Sequence, residues 1–195
     1  MTDKTVIITG ASQGIGAGLA NSFLEKGYKV VATSRRVSQS AEISASDRLA
    51  RVDGDIADPE TAKAVVETAL ARFGALDALV NNAGIFFTKP FIDYTIEDYR
   101  RLAATNLEGF LHLTQRVVRQ MLAQKSGGSI VSITTPMVDH PIAGVNASVA
   151  MLTKGGIEAI RRTSPWNARR SKSAPTRSHP ALSTRRCTRT TRKTF

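Results

Sequence analysis

Cysteine is almost missing from this 195-residue chain: Cys187 stands alone, which excludes an intramolecular disulfide framework. Long apolar runs are missing too, so no segment reads as a bilayer span. The opening Met1-Thr2-Asp3-Lys4 leads straight into a strand-like run and does not resemble a signal peptide, so a cytoplasmic location is expected. Acidic residues are absent from one end: residues 161–195 hold 11 of the 27 Lys+Arg and none of the 16 Asp+Glu. Over residues 1–160 the remaining 16 basic residues balance the 16 acidic ones. The net charge of +11 therefore belongs to the last segment, and the body has the charge balance of an ordinary globular domain. Nucleic-acid binding through that segment ranks lowest among the functions considered. Only Trp166 and Phe195 are there to stack on bases.

What is present is an alternation of strand-like and helix-like stretches. Strands are predicted at 5–8, 28–33, 49–52, 76–80 and 129–134. Helical spacing of Ile15, Leu19 and Phe23 predicts a first helix ending at Gly27. A second carries Ala62, Val65, Val66, Ala69, Leu70 and Phe73, with Pro59 in its first turn. A long helix is predicted from Ile96 to Leu122, and another from Ser148 through Ile157. Strands separated by helices imply an α/β fold with a parallel sheet covered on both faces. One domain is expected over 1–160. Past Ile160 the periodicity stops, and 161–195 reads as a basic, disordered tail.

The most informative stretch is Val6-Ile7-Ile8-Thr9-Gly10-Ala11-Ser12-Gln13-Gly14-Ile15-Gly16. A β-branched run stops at a glycine turn and a helix starts directly after it, which offers backbone N–H groups and a helix N-terminus to a pyrophosphate. Gly10, Ser12, Gln13, Gly14, Ile15 and Gly16 are thus candidate dinucleotide contacts. Asp55 follows the third strand, Asn81-Asn82-Ala83-Gly84 follows the fourth, and Asn106 lies within the long helix.

These elements, in this order and spacing, resemble the short-chain dehydrogenase/reductase family over roughly Lys4 to Ile160. The resemblance implies a Rossmann-type doubly wound parallel sheet in three layers, α/β/α, here truncated after the fifth strand and the lysine helix. It also implies a nicotinamide cofactor and hydride transfer to or from a small carbonyl or alcohol. At the end of the second strand stands Ser34 where an NAD-type acid falls, followed by Arg35, so NADP is expected ahead of NAD. By resemblance Asp55 accepts from the adenine amino group with Ile56 beside the ring. Asn82, Ala83 and Gly84 pass the adenosine ribose, and Asn106 interrupts its helix to hold a relay water. Paired subunits are expected of an intact member; no metal and no membrane partner are.

The family's chemistry uses a tyrosine phenol, a lysine four residues later and an upstream Ser or Thr. Lys154 matches the lysine and Thr135 the hydroxyl, with Thr134 as the alternative, but the tyrosine position is Ala150. Alanine transfers no proton. Tyr28, Tyr94 and Tyr99 belong to other elements, while Asp139, His140 and Ser148 lie between Thr135 and Ala150. His140 has the most suitable intrinsic pKa for acid/base work. A nucleotide-binding protein or scaffold without turnover is the second reading.

The tail carries its own signal. Back-translated and read from the third base of each codon, residues 173–186 can encode I-R-A-D-A-V-A-P-G-V-I-D-T-P, and the remainder L-H-P-H-N-P-K-D-F. That resembles the family's own continuation, including the Pro-Gly beside the nicotinamide. A frameshift near Ile160 to Thr163 is therefore expected.

Overall fold

The structure, a computed structural model, describes residues 3–163. Five strands form one sheet: β1 (Thr5–Thr9), β2 (Lys29–Ser34), β3 (Leu49–Asp53), β4 (Ala78–Asn81) and β5 (Ser129–Ser132). All neighbours pair in parallel, in the order β3-β2-β1-β4-β5. This is the doubly wound, Rossmann-type arrangement, and its strand order reverses between β1 and β4. The helices are α1 (Gly14–Glu25), α2 (Pro59–Phe73), α3 (Ile96–Ala103), α4 (Gly109–Gln124) and α5 (Ser148–Thr163).

Both faces of the sheet are covered because β1 is apolar at successive positions and buried throughout. Ile7, Val31 and Leu79 point to one side, where they pack on Val65, Ala69, Leu113 and Val117 of α2 and α4. Val6, Ile8, Val30 and Val80 point to the other, against Ala17 and Ala20 of α1. The inward face of α1 is thus Gly16, Ala17 and Ala20. The expected face of Ile15, Leu19 and Phe23 is a correction: Ile15 is 66% exposed, and Leu19 and Phe23 are only partly buried. Small residues win because the helix start must approach β1 closely.

Local chemistry sets most boundaries. Asp58 caps α2 by accepting from the Glu60 N–H at 2.9 Å, and Gly74 ends that helix at φ +79°. Thr95 and Asp98 form a reciprocal capping box at the start of α3. The fourth strand starts at Ala78 rather than at Leu76, whose N–H and C=O are taken by the Gln124 side chain at 3.1 and 3.0 Å. The fifth ends at Ser132, two residues early, since Thr135 and Pro136 open a 3₁₀ turn. The long helix is present but not continuous. Residues Ala104–Glu108 form a π segment between α3 and α4. Arg161, Arg162 and Thr163, read from composition as tail, extend α5. The rest of the tail, with Trp166 and Cys187, lies outside the described residues, as does most of the expected frameshifted stretch. Among the described residues no helix is long and apolar enough to cross a membrane.

Leu79 is fully buried in the middle of the sheet, whereas Leu122 on α4 is 72% exposed. Leu79→Ala is expected to lower unfolding free energy by roughly 2–5 kcal/mol. Leu122→Ala is expected to change it by no more than about 0.5 kcal/mol. Urea denaturation midpoints check the contrast.

Candidate nucleotide-binding and catalytic site

The site gathers at the carboxyl ends of the strands, beside the β1–β4 reversal, where open α/β sheets bind ligands. Gly10 leaves β1 at φ +64°, and a Cβ there would lie 2.8 Å from the Ala83 Cα. A Cβ on Gly16 would collide with the Gly10 carbonyl oxygen. These two glycines let the loop, the end of β4 and the start of α1 share one small volume. Gly14, at φ +56°, faces open space and donates its N–H to the Glu42 carboxylate at 2.8 Å. The loop thus binds an anionic oxygen, and Gln13 and Ile15 are exposed beside it. Ser12 offers its carbonyl to the Ser40 hydroxyl at 2.6 Å.

The ends of β1 and β4 are locked by a polar clamp. The Thr9 hydroxyl accepts from the N–H groups of Asn82 and Ala83 at 3.0 and 2.8 Å. Asn82 returns two bonds from Nδ2, to the carbonyls of Thr9 and Gly10 at 2.9 and 3.1 Å. Asn82 and Ala83 therefore shape the cradle from beneath, while Gly84 is exposed next to them. At the end of β2, the Ser34 Oγ is buried without a hydrogen-bond partner among the described residues, and Arg35 follows it at the surface. An orphaned hydroxyl beside an exposed guanidinium fits a ribose or its phosphate. Asp55 is exposed, with one oxygen accepting from the Ala57 N–H at 3.0 Å. Ile56 is buried against α4, where a Cβ on Gly109 would lie 2.8 Å from its Cγ2.

A second cluster links the π segment to α5. Asn106 is 1% exposed. Its Oδ1 accepts from the Ile85 N–H at 2.9 Å, and its Nδ2 donates to the Ile85 carbonyl and the Thr153 hydroxyl at 3.1 and 3.0 Å. The π segment turns this amide inward, and pairing offsets the cost of burying it. Lys154 donates to the Ile133 carbonyl at 3.2 Å. A cavity of about 10 Å³, near the volume needed for one water, lies between Thr9, Asn81, Asn106, Ser132 and Lys154. Sequence reasoning assigns no role to Thr153, which it meets only as a neighbour of Lys154, or to Glu42. Thr153 is signalled only as a buried hydroxyl on an apolar helix face, and Glu42 has no local signal.

Thr135 accepts from the Met137 N–H at 3.3 Å, which leaves its own hydrogen free to donate. Asp139 pairs with Arg162 at 3.7 Å, and His140 and Ser148 are exposed. Ala150 is fully buried. The Tyr94 hydroxyl is committed to the backbone, donating towards Phe87 and Asn146 and accepting from the Lys89 N–H. Tyr28 stacks edge-on against Phe23. Among the described residues no group of three metal-ligating side chains occurs.

Burial holds the Lys154 ammonium below its usual pKa of 10.5. The folded chain then sheds this proton before the unfolded chain does, so stability rises with pH between the lowered value and 10.5. Below that window the burial penalty applies in full. Lys154→Met is expected to be the more stable protein at pH 7, with its advantage shrinking as pH approaches 10.5. Thermal melts across that range test the sign, and an advantage that grew with pH would contradict burial as the cause.

Comparison with known proteins places this geometry. The family model for short chain dehydrogenases matches residues 4–164. An L-rhamnose 1-dehydrogenase (NAD(P)(+)) from Sphingomonas sp. is 36% identical over 166 residues, covering 82% of this chain and 65% of that protein. A 3-oxoacyl-(acyl-carrier-protein) reductase from Staphylococcus aureus is 32% identical over 168 residues, covering 80% and 68%. Among solved structures, a 3-ketoacyl-(acyl-carrier-protein) reductase from Brucella melitensis complexed with NADH superposes with a TM-score of 0.75 at 28% identity. That match covers 80% of this chain and 66% of the other. The matched part thus spans less than two thirds of the rhamnose dehydrogenase's length. With the family model matched over residues 4–164 and the sheet in the order β3-β2-β1-β4-β5, the chain belongs to the short chain dehydrogenase family.

Proposed function

We propose that this chain is an NADP(H)-dependent oxidoreductase by design, acting on a small carbonyl or alcohol compound, with 1–160 as its nucleotide-binding domain. The observation that carries the cofactor is the end of β2, where Ser34 has an orphaned Oγ and Arg35 supplies a cation. A carboxylate there would repel a 2′-phosphate; a guanidinium pairs with it. NADH is the weaker alternative. When bound, the nicotinamide cofactor supplies or accepts the hydride. Asp55 and Ile56 receive the adenine, Asn82 to Gly84 flank the adenosine ribose, and Lys154 holds the nicotinamide ribose. Asn106 keeps the relay water in the cavity beside Lys154, and Thr135 directs its free hydrogen at the substrate oxygen.

A second reading, nucleotide binding without turnover, is favoured by Ala150. Its methyl group stands at the position of the family's proton donor, and the Tyr94 hydroxyl is already engaged. The segment beyond α5 is proposed to be encoded out of frame from near residues 160–163. The exposed edge of the sheet supports this: Val131 on β5 is 51% exposed, although a parallel sheet normally covers such residues on both faces. Exposed Leu111 on α4 and Leu152 on α5 support subunit pairing of the in-frame protein through those helices.

Fluorescence titration of the frame-restored protein with NADPH, followed by a carbonyl panel, separates the readings. Binding with oxidation establishes the enzyme; binding without oxidation across a broad panel selects the second reading; no binding defeats both. Arg35→Ala is expected to weaken NADPH about ten-fold and leave NADH unchanged. Resequencing the locus together with mass spectrometry of the mature protein tests the frame. An uninterrupted frame matching the present C-terminal peptides would sink that proposal.

A further inference from the structure

We infer that Glu42 sets the affinity of the glycine loop for dinucleotides: its carboxylate holds the loop's anion-binding N–H, and a phosphate must displace it. The inference rests on reading that loop as the cofactor site. Glu42 lies in the β2–β3 connection, whose only helical piece is the 3₁₀ turn Val37–Gln39. The Glu42 Oε2 accepts from Gly14 N–H at 2.8 Å, at the first residue of α1. This is where the helix dipole and unpaired N–H groups favour a negative oxygen. A carboxylate and a phosphate are both anions seeking the same donor, and they repel each other at contact distance.

The neighbouring bonds show that Glu42 is brought there by its segment. The Ser40 hydroxyl donates to the Ser12 carbonyl at 2.6 Å, tying the connection to the glycine loop itself. Asn21 of α1 donates from Nδ2 to the Glu42 carbonyl at 2.8 Å and accepts from the Ser44 N–H at 3.0 Å. Ile43 next door is 3% exposed and inserts into the cluster formed by β1, β2 and α1. The backbone of Glu42 is thus fixed on both sides, so its bond to Gly14 costs only side-chain freedom. The side chain itself is exposed and can rotate away. The contact therefore weakens nucleotide binding without abolishing it.

The test uses the full chain titrated with NADPH and with NADH, followed by fluorescence. Glu42→Ala is expected to bind both about three- to ten-fold more tightly, because the pyrophosphate is common to them. Glu42→Gln keeps an acceptor but loses the charge, so its gain is smaller and in the same direction. Asn21→Ala frees the segment without touching the carboxylate and is also expected to tighten binding. A separate readout is hydrogen exchange in the free protein, where Glu42→Ala lowers protection of the Gly14 amide. Wild-type binding with no gain in Glu42→Ala overturns the inference alone. So does a gain confined to NADPH, which would place the carboxylate against the 2′-phosphate instead. No binding by any form overturns the cofactor reading and this inference together.

Discussion

The structure depends on one close approach, that of the β1 end to the β4 end. Gly10 and Ala83 are near enough that a Cβ on the glycine would lie 2.8 Å from the alanine Cα. Asn82 and Ala83 donate four hydrogen bonds across the same gap, three to Thr9 and one to the Gly10 carbonyl. The candidate site follows from that junction. It opens the crevice at the strand reversal, aims the start of α1 at it, and sets Gly84 beside Lys154, whose Nζ lies 3.0 Å from the position of a Gly84 Cβ. A side chain at Gly10 or Gly16 would push the loop away from β4, and the cradle would lose its floor.

The two halves of the site are built differently, and that difference explains how one can persist while the other changes. The nucleotide half is made mostly of backbone: glycine N–H groups, carbonyls and the clamp formed by Thr9 and Asn82. Such a cradle is fixed by the fold. The chemical half hangs on single side chains carried by α5 and the turn after β5. Ala150 on α5 is fully buried, and the helix packs around its methyl group. Thr153 still binds Asn106, and Lys154 still faces the cavity. A family fold is therefore stronger support for nucleotide binding than for turnover.

The parallel sheet, its helices and the glycine loop are legible in the sequence because periodicity and turn chemistry report directly on burial. The reading fails where tertiary contact decides. Ile15, Leu19 and Phe23 have the spacing of a buried face, yet α1 turns Gly16, Ala17 and Ala20 inward because only small residues fit so close to β1. The apolar stripe from Ile96 alone gives no sign of the π segment; the expected interruption at Asn106 does locate it, and it brings Asn106 round to Ile85 and Thr153. Glu42 is beyond any local reading: 28 residues separate it in sequence from Gly14, and its position is set by Asn21, Ser40 and Ile43 acting together.

The edge of the sheet joins the codon pattern to the physics. Burial falls from β1, where every residue is buried, to β5, where exposed and partly buried residues alternate. An exposed apolar residue such as Val131 is unusual in a parallel strand, because crossover helices normally cover both faces. A shifted reading frame that encodes the family's continuation would supply a further strand and helix for that side of the sheet. The same proposed frame would also encode a Pro-Gly stretch. Under the proposed frame, one change in the message would account both for the basic tail and for the exposure of Val131.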